Sequence, residues 1–427
     1  MSGTTAPTAR VRHRLVAVTF TLSMLLYIDR VAISAAKGPV TSAFGLNDVQ
    51  FGWVLSAFAL GYALGQVPAG MLADRWGARV MLATVVVVWS IFTGLTGLAW
   101  GLVSLLLARF LFGLGEAGAY PTVSRAFYAW LPPGERGLAQ GINNSGARIG
   151  AAAALPVVAW VVTAAGWRET FFGLGVFGIV WAFAWYRWFR DSPEQHPAVS
   201  AAELREITAD RGEGAAGPAS PLGFRDLVAS KNMWLMMGQY FALNFTFFFC
   251  LTWLFPYLQR TYNLPVLKTG FLAALPLIGG AIGNWVGGGL GDALYRAQRP
   301  VMARRLPATI GFALSAGGLL ASLAFHDPIS VVLCLTVAIF GADMAVPVSW
   351  ALCIDVGRGS TGTVGGTMNM AGNLGAFVTS LAFPYLVAIT GSTVPFFVLG
   401  AVLNVAALAA WFAIDPRRPI TAVGARA

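Results

Sequence analysis

The sequence predicts an all-α polytopic membrane protein, with twelve transmembrane helices in two six-helix bundles and both termini in the cytoplasm (N-in/C-in). Three observations carry this. First, 57% of the 427 residues are hydrophobic and only 11% are charged, against roughly 45–50% and about 25% in soluble proteins. Second, stretches such as 80–99 and 170–189 match the ~20 residues needed to cross a bilayer core, and twelve such runs recur along the chain. Third, with the N-terminus inside, the 28 Lys and Arg divide into 20 in cytoplasmic segments, 4 outside (Lys37, Arg168, Arg260, Lys268) and 4 in or at the ends of spans. That bias is the one expected of cytoplasmic loops. The net charge of +10 therefore reads as topology and contact with the anionic lipid bilayer. Nucleic-acid binding is disfavoured, because no basic patch is interleaved with exposed aromatics.

The runs fall near 15–36, 51–73, 80–99, 102–124, 138–162 and 170–189, then near 233–258, 268–290, 306–325, 329–352, 362–388 and 393–414. The first follows Arg10, Arg12 and Arg14 like a signal-peptide start, but Asp29 and Arg30 inside it make a poor cleavable core. It is read as a retained helix. Its "LLYIDRVAIS" puts Tyr27 and Arg30 on one face, with Asp29 about 100° away. The second run contains Tyr62 in "GYALGQVPAG" and meets the third through "GMLADRWGAR", Gly70 to Arg79.

The fourth run contains "ARFLFGLGEAGAYP", where Gly113, Gly115 and Gly118 match the spacing of a dinucleotide-binding loop. That loop needs a preceding strand and an aqueous βαβ unit; here the glycines lie mid-span and read as close packing in lipid. The charges in the same stretch carry more information, since ionisable groups at bilayer depth mark function by default. Arg109 and Glu116 are seven apart, hence on one stripe of the helix, which Tyr120 extends. At ~1.5 Å per residue, Arg30 sits roughly 9 Å and Arg109 roughly 11 Å from the outer ends of their helices. Two arginines at similar depth make a clamp for an anion, and arginine's planar fork suits a carboxylate. Asp29 and Glu116, set between desolvation and neighbouring arginines, are candidates for carrying protons. The alternative is that these charges neutralise one another as structural pairs.

The fifth run, "GINNSGARIGAAAALP", offers Asn143, Asn144, Ser145 and Arg148. Arg148 reads either as a third anion contact or as facing a neighbouring helix or the surface. Residues 190–231 are polar and rich in Pro, Gly and Ala, and they read as a linker on the cytoplasmic side. They separate an N-terminal bundle, 1–189, from a C-terminal bundle, 232–427; within the linker "AAELREIT" reads as a short surface helix.

The second half echoes the first. "GGLGDALYRAQR" answers the earlier loop, Gly288 and Asp292 matching Gly70 and Asp74 at an offset of 218. In both, the glycine lets helices approach and the aspartate is expected to meet basic residues. With Arg75 and Arg79 these read as a conformational latch rather than substrate ligands, within duplicated halves that alternate access to a midplane site. The later runs contribute neutral polar groups: Asn244, Trp253 and Tyr257, then Ser349 and Trp350, then Asn369 and Asn373, which share a helix face. Such amides suit a hydroxyl-rich substrate. Asp343 in the tenth run is unassigned. Cys250, Cys334 and Cys353 read as packing, and His13, His196 and His326 are scattered, so neither metal nor cofactor is expected.

The stretch at 70–79 is the loop motif of the major facilitator superfamily, which the whole chain resembles. "YIDR" and "RFLFGLGEAGAYP" further resemble its anion:cation symporter family, which includes bacterial galactonate and hexuronate transporters, the vesicular glutamate transporters and sialin. The resemblance implies that Arg30 holds a substrate carboxylate, Asp29 and Glu116 carry protons, Arg109 organises Glu116, and Tyr27 and Tyr62 line the site. One departure stands out: Ala147 occupies a position where galactonate-type members carry a glutamine.

The expectation is a monomeric, multi-pass protein of the cell (inner) membrane that imports a small organic anion with protons. The anion expected is a sugar acid such as a hexuronate or hexonate. Two protons with a monoanion would make import electrogenic. The alternatives are an antiporter or effluxer for aromatic carboxylates or organophosphates, and a non-transporting anion sensor. An enzyme is disfavoured because no nucleophile–base pair, metal cluster or cofactor loop occurs in the sequence.

Overall fold

In lipid a backbone must satisfy its own hydrogen bonds, and the residues described in the computed structural model, 10–209 and 222–421, form helices and turns without strands. Residues 210–221 of the expected linker lie outside them. The first half comprises α1 (Val11–Ala35), α2 (Lys37–Phe44), α3 (Asp48–Gly97), α4 (Leu102–Glu116), α5 (Ala119–Trp130), α6 (Arg136–Ala165) and α7 (Trp167–Trp188). Two short helices follow, α8 (Ala201–Thr208) and α9 (Phe224–Val228). The second half comprises α10 (Lys231–Thr252), α11 (Leu254–Tyr262), α12 (Val266–Arg296), α13 (Pro300–Ala321), α14 (Pro328–Gly357), α15 (Thr361–Thr390) and α16 (Val394–Ala413).

These make twelve crossings. The 50-residue α3 is about 75 Å long at 1.5 Å per residue, twice a bilayer core. It is two spans joined by a bend at Gly77, whose φ of 77° and ψ of 165° lie in a region essentially reserved for glycine. The sequence reading placed a loop there; the chain instead turns on one residue. The fourth span is broken in the other sense. Pro121 has no N–H for the carbonyl of Ala117, so α4 ends at Glu116 and α5 resumes at Ala119. Pro256 separates α10 from α11 in the same way.

Within the first half α3 packs on α4 and α7, and α1 on α6; within the second α12 and α13 pack on α14, and α10 on α15. The halves meet where α12 lies on α6 and α15 on α3. The outer shell is apolar: Val103 is 70% exposed, Phe183 67% and Ile389 77%, as suits side chains dissolved in lipid. The three glycines of α4 and its extension are packing positions. A Cβ on Gly113 would strike the Phe58 carbonyl, one on Gly115 would come 2.8 Å from Val88, and one on Gly118 2.7 Å from Val85. They seat the fourth span between both arms of α3.

The expected helix at "AAELREIT" is α8, capped by Ser200, whose hydroxyl accepts from the Glu203 N–H at 3.1 Å. Glu203 in turn accepts from the backbone N–H groups of Val11 (3.2 Å) and Arg12 (2.9 Å), capping α1. Arg12 and Arg10 donate to Glu206 at 2.7 and 2.8 Å. The Arg12 hydrogen bond holds the Glu206 carboxyl below its ordinary range. The linker is thereby tied to the start of the first span.

Candidate functional site

Between the halves lies a small cavity that side chains of both line. Its wall includes Tyr27, Arg30, Tyr62, Asn144 and Arg148 from the first half and Trp350, Asn369 and Asn373 from the second. Eight of the ten residues expected to contact substrate therefore converge. The other two stand behind the wall. Asn143 is fully buried and its Oδ1 accepts from Ser23 at 3.0 Å; Arg109, 3% exposed, lies against the rings of Phe58 and Phe112 at 5.1 and 4.6 Å.

Arg30 is held on two sides. Its Nε donates to Glu116 Oε1 at 2.6 Å, and its Nη2 pairs with the same oxygen. The rings of Tyr62, Tyr27 and Phe58 surround the guanidinium at 4.4, 4.9 and 5.1 Å. Glu116 is fully buried as the last residue of α4, so the break imposed by Pro121 sits beside the carboxylate. Aromatic faces favour the cation while fixing its plane.

Asp29 is placed differently. It is 1% exposed, and the groups that act on it are Glu116, Arg109 and the Trp89 indole. The Trp89 indole N–H is the hydrogen-bonding group that reaches Asp29, and Arg109 Nε and Glu116 Oε2 lie buried beside them.

Arg148 both faces a neighbouring helix and borders the cavity. It lines the cavity and spans the two halves, its Nε and Nη2 donating to Asp343 Oδ2 and Oδ1 at 3.0 and 2.9 Å. Its guanidinium lies 3.5 Å over the ring of Phe247. Two charges that the sequence left unassigned are thus each other's partners.

The second-half wall is amide and aromatic. Asn369 Nδ2 donates to Gln66 Oε1 at 3.1 Å and Tyr62 Oη at 3.4 Å, joining the halves. Asn373 donates back to the Asn369 carbonyl at 2.8 Å. Trp350 Nε1 donates to Tyr240 Oη at 2.9 Å, and the Trp350 ring stands 5.9 Å from Tyr120. Tyr240, Phe247 and Phe248 belong to the wall but went unselected from sequence, since aromatics at helical spacing look the same whether they pack or line a site.

Gly70, Asp74, Gly288 and Asp292 lie where the halves meet, at the end where α1 begins and α16 finishes. Asp74 Oδ1 accepts from the Gly362 N–H at 2.8 Å, and Oδ2 accepts from the N–H and hydroxyl of Thr363 at 2.7 and 2.6 Å. Asp292 accepts from the N–H groups of Gly137 (2.9 Å) and Leu138 (2.7 Å). Arg125 stands near Asp74, and Arg304 and Arg296 near Asp292, but the hydrogen bonds go elsewhere: each aspartate caps a helix of the other half, where four backbone N–H groups lack partners. A Cβ on Gly70 would strike the Gly362 carbonyl, and one on Gly288 would come 2.5 Å from the Gly137 carbonyl. Arg79 faces its own half, its N–H donating to Asp191 and its Nε to the Tyr186 carbonyl, both at 2.9 Å. Arg75 is exposed. A separate ionic tie strengthens this end: Asp355 accepts from Arg304 at 2.7 Å and, across the halves, from Arg136 at 3.3 Å.

A buried cavity with arginines, carboxylates and amides, bridged at one end by contacts between two halves, can hold a polar anion and expose it to one side at a time. The sequence profile of the Major Facilitator Superfamily matches residues 19–380. The chain is 37% identical to the "Probable sulfoacetate transporter" of Cupriavidus necator, over 95% of this chain and 94% of that protein. It is 33% identical to a "Probable galactarate/D-glucarate transporter" of Escherichia coli, over 89% and 88% of the two chains. In structure it superposes on the proton:xylose symporter XylE with a TM-score of 0.76 at 16% identity, covering 96% of this chain and 97% of that one.

Proposed function

The chain belongs to the major facilitator superfamily and is a multi-pass inner-membrane transporter of organic anions, not an enzyme; on that premise we propose that it is a proton-coupled symporter importing a sugar acid by alternating access. The observation that carries this reading is the Arg30–Glu116 pair on the cavity wall. A substrate carboxylate arriving at Arg30 competes with Glu116 for the same guanidinium, and a proton on Glu116 removes the competitor. Proton and anion then load together. Asp29, buried beside Glu116 and Arg109, is the second proton carrier, with Arg109 positioning both carboxylates. The amides of Asn144, Asn369 and Asn373 meet the hydroxyls of the sugar chain.

In this reading the termini are cytoplasmic, 1–189 and 232–427 rock against each other as a monomer, and 190–231 tethers them. Asp74 and Asp292 hold the cytoplasmic end shut while the site loads from outside. The name of the 37%-identical relative supports a second reading within the same class, a small sulfonated carboxylate as the cargo.

Uptake into proteoliposomes with an alkaline interior tests it, over a panel of hexonates, hexuronates, hexarates and sulfoacetate. Uptake of at least one, collapsing with the pH gradient and lost in Arg30→Ala, is the expected result. A folded protein giving neither uptake nor counterflow with any of them overturns the reading in favour of a sensor.

A further inference from the structure

Proton coupling through Asp29 and Glu116 leaves a second arginine on the cavity wall with no task. Stability is a poor reason for it, because well-packed apolar residues commonly do as well as a buried ion pair. Its placement indicates another. Arg148 is 10% exposed at its side chain and Asp343 is wholly buried, so the arginine of the pair is the member presented to the cavity. Asp343 engages its Nε and Nη2, which leaves Nη1 as the nitrogen not bonded to that carboxylate. The Phe247 ring at 3.5 Å fixes the guanidinium plane. Ala147, beside it in sequence, is also on the wall and adds only a methyl group there.

The arrangement repeats that of Arg30. Each arginine lines the cavity, each gives Nε and Nη2 to a fully buried carboxylate, and each lies against an aromatic ring. Tyr27 and Tyr120 are within electrostatic reach of both, so the two guanidinia bracket one space. A ligand with a single anionic group satisfies Arg30 and leaves Arg148 with Asp343. One with an anionic group at each end engages both.

We propose that the cavity takes a short organic dianion, one anionic end on Arg30 and the other on Arg148, where it competes with Asp343. This rests on the cavity being the transport site. Because Arg148 belongs to α6 and Asp343 to α14, the second anionic end also loosens a tie between the halves, which links full occupancy to reorientation. Two different chemistries meet the requirement, a hexarate and a sulfonated carboxylate, and both are tested.

The experiment measures uptake of two matched pairs in proteoliposomes: galactarate against galactonate, and sulfoacetate against 2-hydroxyethanesulfonate. In each pair one anionic end is replaced by a hydroxymethyl group. In whichever pair the wild-type protein carries, the dianion is expected to have the lower KM by about tenfold or more. Arg148→Gln raises the dianion's KM about thirtyfold and so removes the dianion's advantage over its monoanion. Because Arg148→Gln alone strands Asp343 in the interior, Arg148→Gln/Asp343→Asn, a neutral pair of similar shape, is measured beside it, with folding checked by gel filtration. Equal loss for both members of a pair, or unchanged dianion KM in the folded double variant, overturns the proposal and leaves Arg148 as a link between halves. Failure of the wild-type protein to carry any organic anion would instead overturn the transport reading itself.

Discussion

Asp74 and Asp292 hold equivalent positions in the two halves, and each caps the first turn of a helix that belongs to the other: Asp74 the N-terminus of α15, Asp292 that of α6. The halves are thus bridged at the end where α1 begins by two crossed caps, each seated on a glycine–glycine approach. Asp74→Ala and Asp292→Ala are each expected to cost the closed end about 2 kcal/mol, or roughly thirtyfold in population. Cys353, fully buried near this end, reports it: in a Cys250→Ser/Cys334→Ser background, where it is the one cysteine left, its maleimide labelling should accelerate in either variant. Unchanged labelling in both would mean that the caps do not hold the end closed.

Glu116→Gln keeps the shape of the Arg30 contact and removes its charge. Uptake driven by a pH gradient should fall to background, while exchange of labelled for unlabelled substrate across the membrane persists. Loss of exchange as well would assign Glu116 to binding or folding rather than to the proton.

Electrical current separates the cargoes. With protons on Asp29 and Glu116, a monoanion moves one net positive charge inward, gaining about 2.3 kcal/mol per 100 mV, whereas a dianion moves none. Galactonate should therefore elicit inward current and galactarate should be taken up silently, both with proton uptake. Current of similar size from both contradicts a two-proton cycle.

Gly77→Ala should destabilise the protein by about 1–3 kcal/mol. The residue has φ 77° and a Cβ there would come 2.7 Å from the Asp191 carboxylate. Gly38→Ala, where a Cβ meets nothing within 4 Å, is the control. Thermal unfolding in detergent should separate the two by several degrees; equal midpoints would show that the bend at residue 77 relaxes without cost.

What could be read in advance follows from contrast. Arg30, Asp29, Arg109 and Glu116 stand out because a charge in an apolar run is costly and therefore conspicuous. The twofold echo of Gly70 and Asp74 in Gly288 and Asp292 was legible as spacing. Its bonding was not, since an aspartate's partner can be a backbone N–H that has no letter in the sequence. Arg148 and Asp343 were conspicuous but unpaired, because 195 residues and a change of half separate them. Tyr240 and Phe247 were invisible for the opposite reason: among 29 phenylalanines and 10 tyrosines, nothing marks the few that border a cavity.

The central charges also have a bearing on how fast an empty carrier can recycle. Arg30, Arg109 and Arg148 are matched in number by Asp29, Glu116 and Asp343, so with every group ionised the unloaded interior is formally neutral. A neutral interior does no electrical work when the halves swing, and resting voltage neither hastens nor holds back the return stroke. Voltage then acts only on the net charge carried inward with the cargo, and the cell's membrane potential becomes a lever on loading and delivery alone.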